Sequence, residues 1–215
     1  ETFQAHNKQI KQLEGKQYAK ATVNRYNTAL KHVQSFIMFN YNINDLPLNK
    51  INHKFITDFQ FFLINNLKQS HNTSLKYIKN FKKIIKIARD NDWIEKDPFS
   101  RFKRSFKTVD REILTQIEID VIISKDLKIP RLDLVRDIFL FSCYTGYAPI
   151  DAKKLTFDNL IAGNDGNLWI ITNRIKTGVR ANVPVLPPVL RIIEKYKGQQ
   201  EELIPKISNQ KMNAY

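Results

Sequence analysis

A chain of 215 residues, 42% of them hydrophobic, can fill one large or two ordinary packed domains, which excludes a disordered polypeptide. Its 35 Lys and Arg against 21 Asp and Glu give a net charge of +14, a field that attracts polyanions: nucleic acid first, an anionic membrane surface second. Cys143 is the one cysteine, so an internal disulfide is excluded, and the run Ile138 to Tyr144 falls far short of the ~20 apolar residues of a membrane span. A cytoplasmic, membrane-free protein is the expectation. The charge is uneven: residues 1–110 hold 20 Lys and Arg against 9 Asp and Glu, and residues 111–215 hold 15 against 12.

The polar start Glu1-Thr2-Phe3-Gln4 has no signal-peptide character and no initiating methionine, so residues 1–14 read as the tail of a preceding segment. From Thr22 the apolar positions Val23, Tyr26, Leu30, Val33 and Ile37 recur at helical spacing until turn formers cluster at Asn40 to Pro47. A second helix follows through Phe55, Ile56, Phe59, Phe62, Leu63 and Leu67. A third runs through Ile78, Phe81, Ile84, Ile85 and Ala88, opened by Ser70, Asn72 and Thr73. These make a helical domain over 15–99, closed by Asp97-Pro98, because the residue before a proline is steered out of the helical region. Residues 100–113 read as a basic interdomain linker carrying Arg101, Lys103, Arg104 and Lys107.

The second domain, 114–215, opens on a capping box, Thr115-Gln116-Ile117-Glu118. A longer helix spans about Leu132 to Tyr144 and ends at Gly146, with Pro149 suited to the first turn of the next. Leu168 to Thr172 and Ala181 to Val185, separated by turn residues, predict a hairpin, and Pro184 places its second strand at an edge. Pro187 and Pro188 introduce an amphipathic helix through Leu190, Ile193 and Tyr196, and Ser208 to Tyr215 reads as a helix just starting. The fold class expected is mainly α with a small β-hairpin or sheet.

Two sets of residues could carry function. On the third helix, Lys76, Lys79, Lys83 and Lys86 fall within about 80° of one another, opposite the apolar face. From Asn72 to Arg89 there is no acid, unlike an ordinary solvated face that mixes Glu with Lys. Such a rail could lie along a duplex, lysines on phosphates and Asn72 or Thr73 near base edges; the plainer reading is a solvated lysine face. On the hairpin, Lys176 sits near the tip, flanked by Arg174, Thr177 and Gly178. A phosphoryl-transfer enzyme without metal needs cations for the equatorial oxygens and a proton for the departing oxygen, and a mobile lysine can supply both. His6, His32, His53 and His71 lack ligand spacing, and six glycines form no phosphate or dinucleotide loop, so no metal and no cofactor are expected.

The order Thr145-Gly146-Tyr147-Ala148-Pro149-Ile150-Asp151, then Lys176, then Val183-Pro184 eight positions later, resembles the tyrosine recombinases of the phage-integrase family, especially integrases of bacterial mobile elements of the Bacteroides type. The resemblance implies a SAM-like core-binding domain that grips DNA and an α+β catalytic domain of the DNA breaking-rejoining type. It implies that Lys176 protonates the leaving 5′ oxygen or touches bases beside the cleavage point, and that Asp151 braces the site. Where the family has its first catalytic arginine this chain has Ala148, and Arg131, Arg136, Lys153 and Lys154 are the neighbouring cations that could substitute. Asn72, Thr73, Lys76, Lys79, Lys83, Lys86, Arg101, Lys103, Arg104 and Arg174 are the expected DNA contacts. No His-x-x-Arg helix or nucleophilic tyrosine is matched before Tyr215, so the chain is expected to be a truncated recombinase that binds double-stranded DNA, with self-association there, but does not cleave. The alternatives are a non-catalytic DNA-binding regulator on the same architecture and, third, a basic scaffold that contacts RNA or ribosomes.

Overall fold

The computed structural model describes all 215 residues and divides them into two compact units, Glu1–Asp110 and Arg111–Tyr215. The first is wholly helical, with α1 (Thr2–Gln12), α2 (Lys20–Tyr41), α3 (His53–Asn65) and α4 (His71–Asp90), plus one 3-10 turn at Leu48–Lys50. Side-chain caps set two of the starts: Asn52 Oδ1 accepts from the Phe55 amide at 3.0 Å, and Ser70 Oγ accepts from the Thr73 amide at 3.3 Å. The core is aromatic. Phe59 is fully buried, with ring centroids of Phe36, Phe55 and Phe81 at 5.4, 6.4 and 6.0 Å, tilted or edge-on as the ring quadrupoles favour.

Residues 1–14 differ from the expected tail. Most of them form α1, whose Phe3 and Ile10 are buried in this core and whose Asn7 donates to Asn27 Oδ1 at 3.0 Å. The spacing Phe3, His6 or Asn7, Ile10 is helical, but its middle turn is polar, which hides the amphipathic face from a hydrophobicity reading. The start of the basic connector is also tied to this core: Phe102 packs against the cluster that holds the buried Phe99, and the first unit extends to Asp110.

The second unit holds α5 (Gln116–Ser124), α6 (Pro130–Thr145), α7 (Pro149–Ala152), β1 (Leu160–Ala162), β2 (Leu168–Asn173), β3 (Arg180–Pro184), α8 (Pro187–Tyr196) and α9 (Asn209–Ala214). The three strands form one antiparallel sheet in the order β1-β2-β3, with Ile170 opposite Leu160 on one side and Val183 on the other. The chain is thus mainly α with a small sheet, and Pro184 lies on edge strand β3 as its chemistry requires. The capping box is formed: Thr115 Oγ1 accepts from the Glu118 amide, and Glu118 Oε2 accepts from the Thr115 amide at 2.7 Å. Gly146 ends α6 at φ 66°, a left-handed conformation that a Cβ would strain.

A charged cluster joins α6 to α8. Lys195 Nζ lies 2.5 Å from both Asp133 Oδ2 and Asp137 Oδ2, and the Tyr196 hydroxyl donates to Asp137 at 2.8 Å. Arg136 also pairs with Asp133. The Lys195 hydrogen bond, aided by Arg136, holds the Asp133 carboxyl below its ordinary value against a smaller opposing effect of burial. A depressed carboxylate stabilises the fold above its unfolded pKa and loses that contribution as pH falls through its folded pKa. Lys195→Met should therefore lower the melting temperature at pH 6, and the gap from the parent should narrow below about pH 4. Thermal unfolding from pH 3 to 7 measures this; a constant gap would show that the charge on Asp133 contributes nothing.

Candidate nucleic-acid interface

Helix α4 carries the cationic stripe of the first unit. Its apolar side, including Leu75, Ile78, Phe81 and Ile85, is buried, and Lys76, Lys79, Lys83 and Lys86 are exposed. Lys86 pairs with Asp90, and Arg89 lies 3.5 Å from Asp97. No carboxylate comes within ion-pair distance of Lys76, Lys79 or Lys83. Their charge is therefore available to an external anion. Toward the end of α4, Lys79, Lys82, Lys83, Lys86 and Arg89 line a shallow depression of about 360 Å³ with Asp97 as its one acid. Lys82 also stands 5.4 Å from the Phe99 ring centroid.

The residues at the start of α4 are engaged differently from the sequence expectation. Thr73 receives a hydrogen bond from the Ser70 hydroxyl at 2.9 Å. Asn72 Nδ2 donates to the Lys107 carbonyl at 2.8 Å, and the Lys107 amide donates to Asn72 Oδ1 at 2.9 Å. Both ends of the Asn72 amide are thus used by backbone of the connector, whose Arg101, Lys103, Arg104 and Lys107 side chains are exposed.

In the second unit the junction between α6 and α7 holds the hairpin. The Tyr147 hydroxyl reaches the carbonyls of Ala181 at 3.0 Å and Ile170 at 3.2 Å, so the junction is fastened to β2 and β3. Burial first, and then Asp151, raise the Tyr147 pKa, while Arg174 acts the other way; the hydroxyl stays a donor. Asp151, 5% exposed in the first turn of α7, accepts from the Ile175 amide at 2.9 Å. The turn between β2 and β3 closes through Gly178, at φ 68°, whose amide donates to the Arg174 carbonyl at 2.7 Å. Lys176 is exposed on this turn, one residue beyond the Asp151 anchor.

Ala148 forms the cap of α7 and brings no cation there. Of the four cations that could substitute, Arg136 is taken up by Asp133 and by the Lys125 carbonyl at 2.6 Å, Arg131 lies 5.1 Å from the Tyr215 ring, and Lys153 donates to Asn209 at 2.7 Å. Lys154 is exposed. The cation the structure brings to Asp151 is Arg174, whose Nε lies 4.0 Å from Asp151 Oδ2. From sequence, Arg174 is expected only to touch DNA; no periodicity links it to the junction, and the packing of α7 against the turn makes the connection.

Asp151→Ala should speed exchange of the Ile175 amide proton about tenfold or more, the equivalent of one broken hydrogen bond, whereas Asp151→Asn keeps an acceptor and should hold it near the parent rate. Residue-resolved hydrogen exchange decides between brace and bystander; equal rates in both variants would mean the carboxylate does not hold the turn.

A helical unit with a lysine stripe and a second unit presenting a lysine on a braced antiparallel turn have the fold of the core-binding and catalytic domains of DNA integrases. Residues 1–110 match the family model described as the Phage integrase SAM-like domain, and the chain belongs to that family. No curated protein matches the chain. Among solved structures, lambda integrase (residues 75–356) bound to DNA is similar with TM-score 0.73 and 15% identity, over 100% of this chain and 74% of that one. The Tn1549 transposon integrase in complex with transposon right end DNA is similar with TM-score 0.66 and 16% identity, over 97% of this chain and 68% of that one.

Proposed function

We propose that residues 1–215 are the DNA-binding and partial catalytic region of a site-specific tyrosine recombinase, and that this chain by itself grips duplex DNA without cutting it. The observation that carries the proposal is the α4 stripe: Lys76, Lys79 and Lys83 stand exposed with no carboxylate partner, in a unit of the integrase SAM-like family. Phosphate oxygens are the anions such a row fits, because each lysine that meets a phosphate releases condensed counterions. The partner is double-stranded DNA, with copies of the chain associating on it, in the cytoplasm of a bacterium that carries a mobile element of the Bacteroides type.

In the complete recombinase a tyrosine oxygen bonds to the scissile phosphorus as the 5′ oxygen leaves, giving a 3′-phosphotyrosyl link. Lys176 gives the departing oxygen its proton, Asp151 holds the turn that carries Lys176, and Arg174 meets the phosphate charge that Ala148 cannot. The second reading, a non-catalytic regulator, is favoured by Ala148 alone. Duplex retention measured from 50 to 300 mM salt, with a single-stranded RNA competitor, tests the binding proposal: affinity should fall steeply with salt and survive the competitor. Salt-independent binding, or preference for the RNA, would overturn it. A half-site substrate that traps the covalent link, offered to the complete gene product, separates recombinase from regulator.

A further inference from the structure

We infer that Asn72 is a positioning residue, which pins the basic connector across the start of α4 so that the connector's cations and the α4 lysines act as one phosphate-binding surface. The inference rests on the duplex-binding reading and adds to it a built arm where a loose linker was expected.

Three contacts hold the arm. Phe102 packs beside Phe99 at the edge of the first core, with ring centroids 6.0 Å apart. The His71 ring nitrogen Nε2 lies 2.9 Å from the Ser105 carbonyl. Asn72 then closes two hydrogen bonds, at 2.8 and 2.9 Å, on the carbonyl and amide of the same residue, Lys107, thirty-five positions away. A side-chain amide paired in this way mimics a strand neighbour: it fixes the backbone of Lys107 and leaves that residue's side chain free. At 100° per residue Asn72 falls within the same sector of about 80° as Lys76, Lys79, Lys83 and Lys86, so the anchor stands in line with the lysine row. Lys103, Arg104 and Lys107 therefore enter at the head of that row, all exposed. The Arg104 guanidinium, 5.7 Å from the Phe106 ring centroid, is further steadied within the arm.

The physical gain is preorganisation. A loose connector must lose its chain entropy when its cations settle on phosphates, and that loss subtracts from affinity; an arm already ordered in the free protein avoids it. The geometry also removes Asn72 from base reading, since the donor and acceptor that would recognise an adenine edge are held by backbone.

The test uses the full 215-residue chain, a random-sequence duplex, and Asn72→Ala, the triple replacement of Lys103, Arg104 and Lys107 by Ala, and all four changes together. Asn72→Ala should weaken binding about tenfold at 0.1 M salt and lessen the log–log salt slope by about 1, the signature of roughly one phosphate no longer neutralised. The triple variant should do at least as much, and adding Asn72→Ala to it should change little, because the anchor acts through those cations. Tryptic cleavage at Arg101 to Lys107, without DNA, should quicken in Asn72→Ala while far-UV circular dichroism stays at the parent level. An undiminished slope and affinity in Asn72→Ala, an equal further loss in the triple background, or unchanged cleavage would each overturn the inference. If the parent chain itself shows no salt-dependent duplex binding, the DNA reading fails instead, and the cleavage comparison still reports whether Asn72 holds the arm.

Discussion

Replacing Lys79 and Lys83 together by glutamate should abolish retention on duplex DNA. If each lysine neutralises one phosphate as proposed, their loss should lower affinity about 60-fold at 0.1 M salt, since each neutralised phosphate contributes a slope of about 0.9 in log affinity against log salt. The two new carboxylates should repel the phosphates and deepen the loss. The helix should tolerate the change: both positions are exposed, neither lysine has an ion-pair partner to leave stranded, and glutamate matches lysine in helix propensity. Circular dichroism at the parent level with absent gel retention is the expected pair of results. Parent-like affinity would show that DNA, if bound, is held elsewhere.

The second large effect is on stability. Phe59→Ala should cost the first unit about 3–5 kcal/mol, because a fully buried ring packed against the rings of Phe36, Phe55 and Phe81 leaves a cavity that four packed helices cannot collapse around. Urea unfolding followed by the helical circular dichroism signal should show a lower midpoint with a similar slope. Phe61, two positions away and 66% exposed, offers the contrast: Phe61→Ala should change stability by no more than about 0.5 kcal/mol. Comparable losses at the two positions would mean that the aromatic core is not the source of the unit's stability.

Much of this architecture is legible from residue spacing. The stripes of α2, α3 and α4, the Thr115–Glu118 box, the Gly146 terminus and the edge position of Pro184 each rest on a local rule that the rest of the fold does not oppose. What spacing could not supply is tertiary. Helix α1 buries Phe3 and Ile10 around a polar middle turn, so its amphipathicity appears only beside α2 and α4. Strand β1, three residues long, is too short to announce itself and exists because β2 pairs with it. The same distinction runs through the candidate site. The α4 lysines follow from periodicity, whereas the attachment of Asn72 to Lys107 and the approach of Arg174 to Asp151 join residues that no local rule connects.

Pro184 has one more effect. The Val185 amide donates inward to the Leu168 carbonyl, so by strand alternation the nitrogen of residue 184 points outward, where a visiting strand would seek a donor, and proline has none to give. The opposite rim, β1, offers only Leu160–Ala162. Neither border can be zipped to another backbone over any useful length, so this small sheet resists runaway edge-to-edge polymerisation even when many copies crowd together.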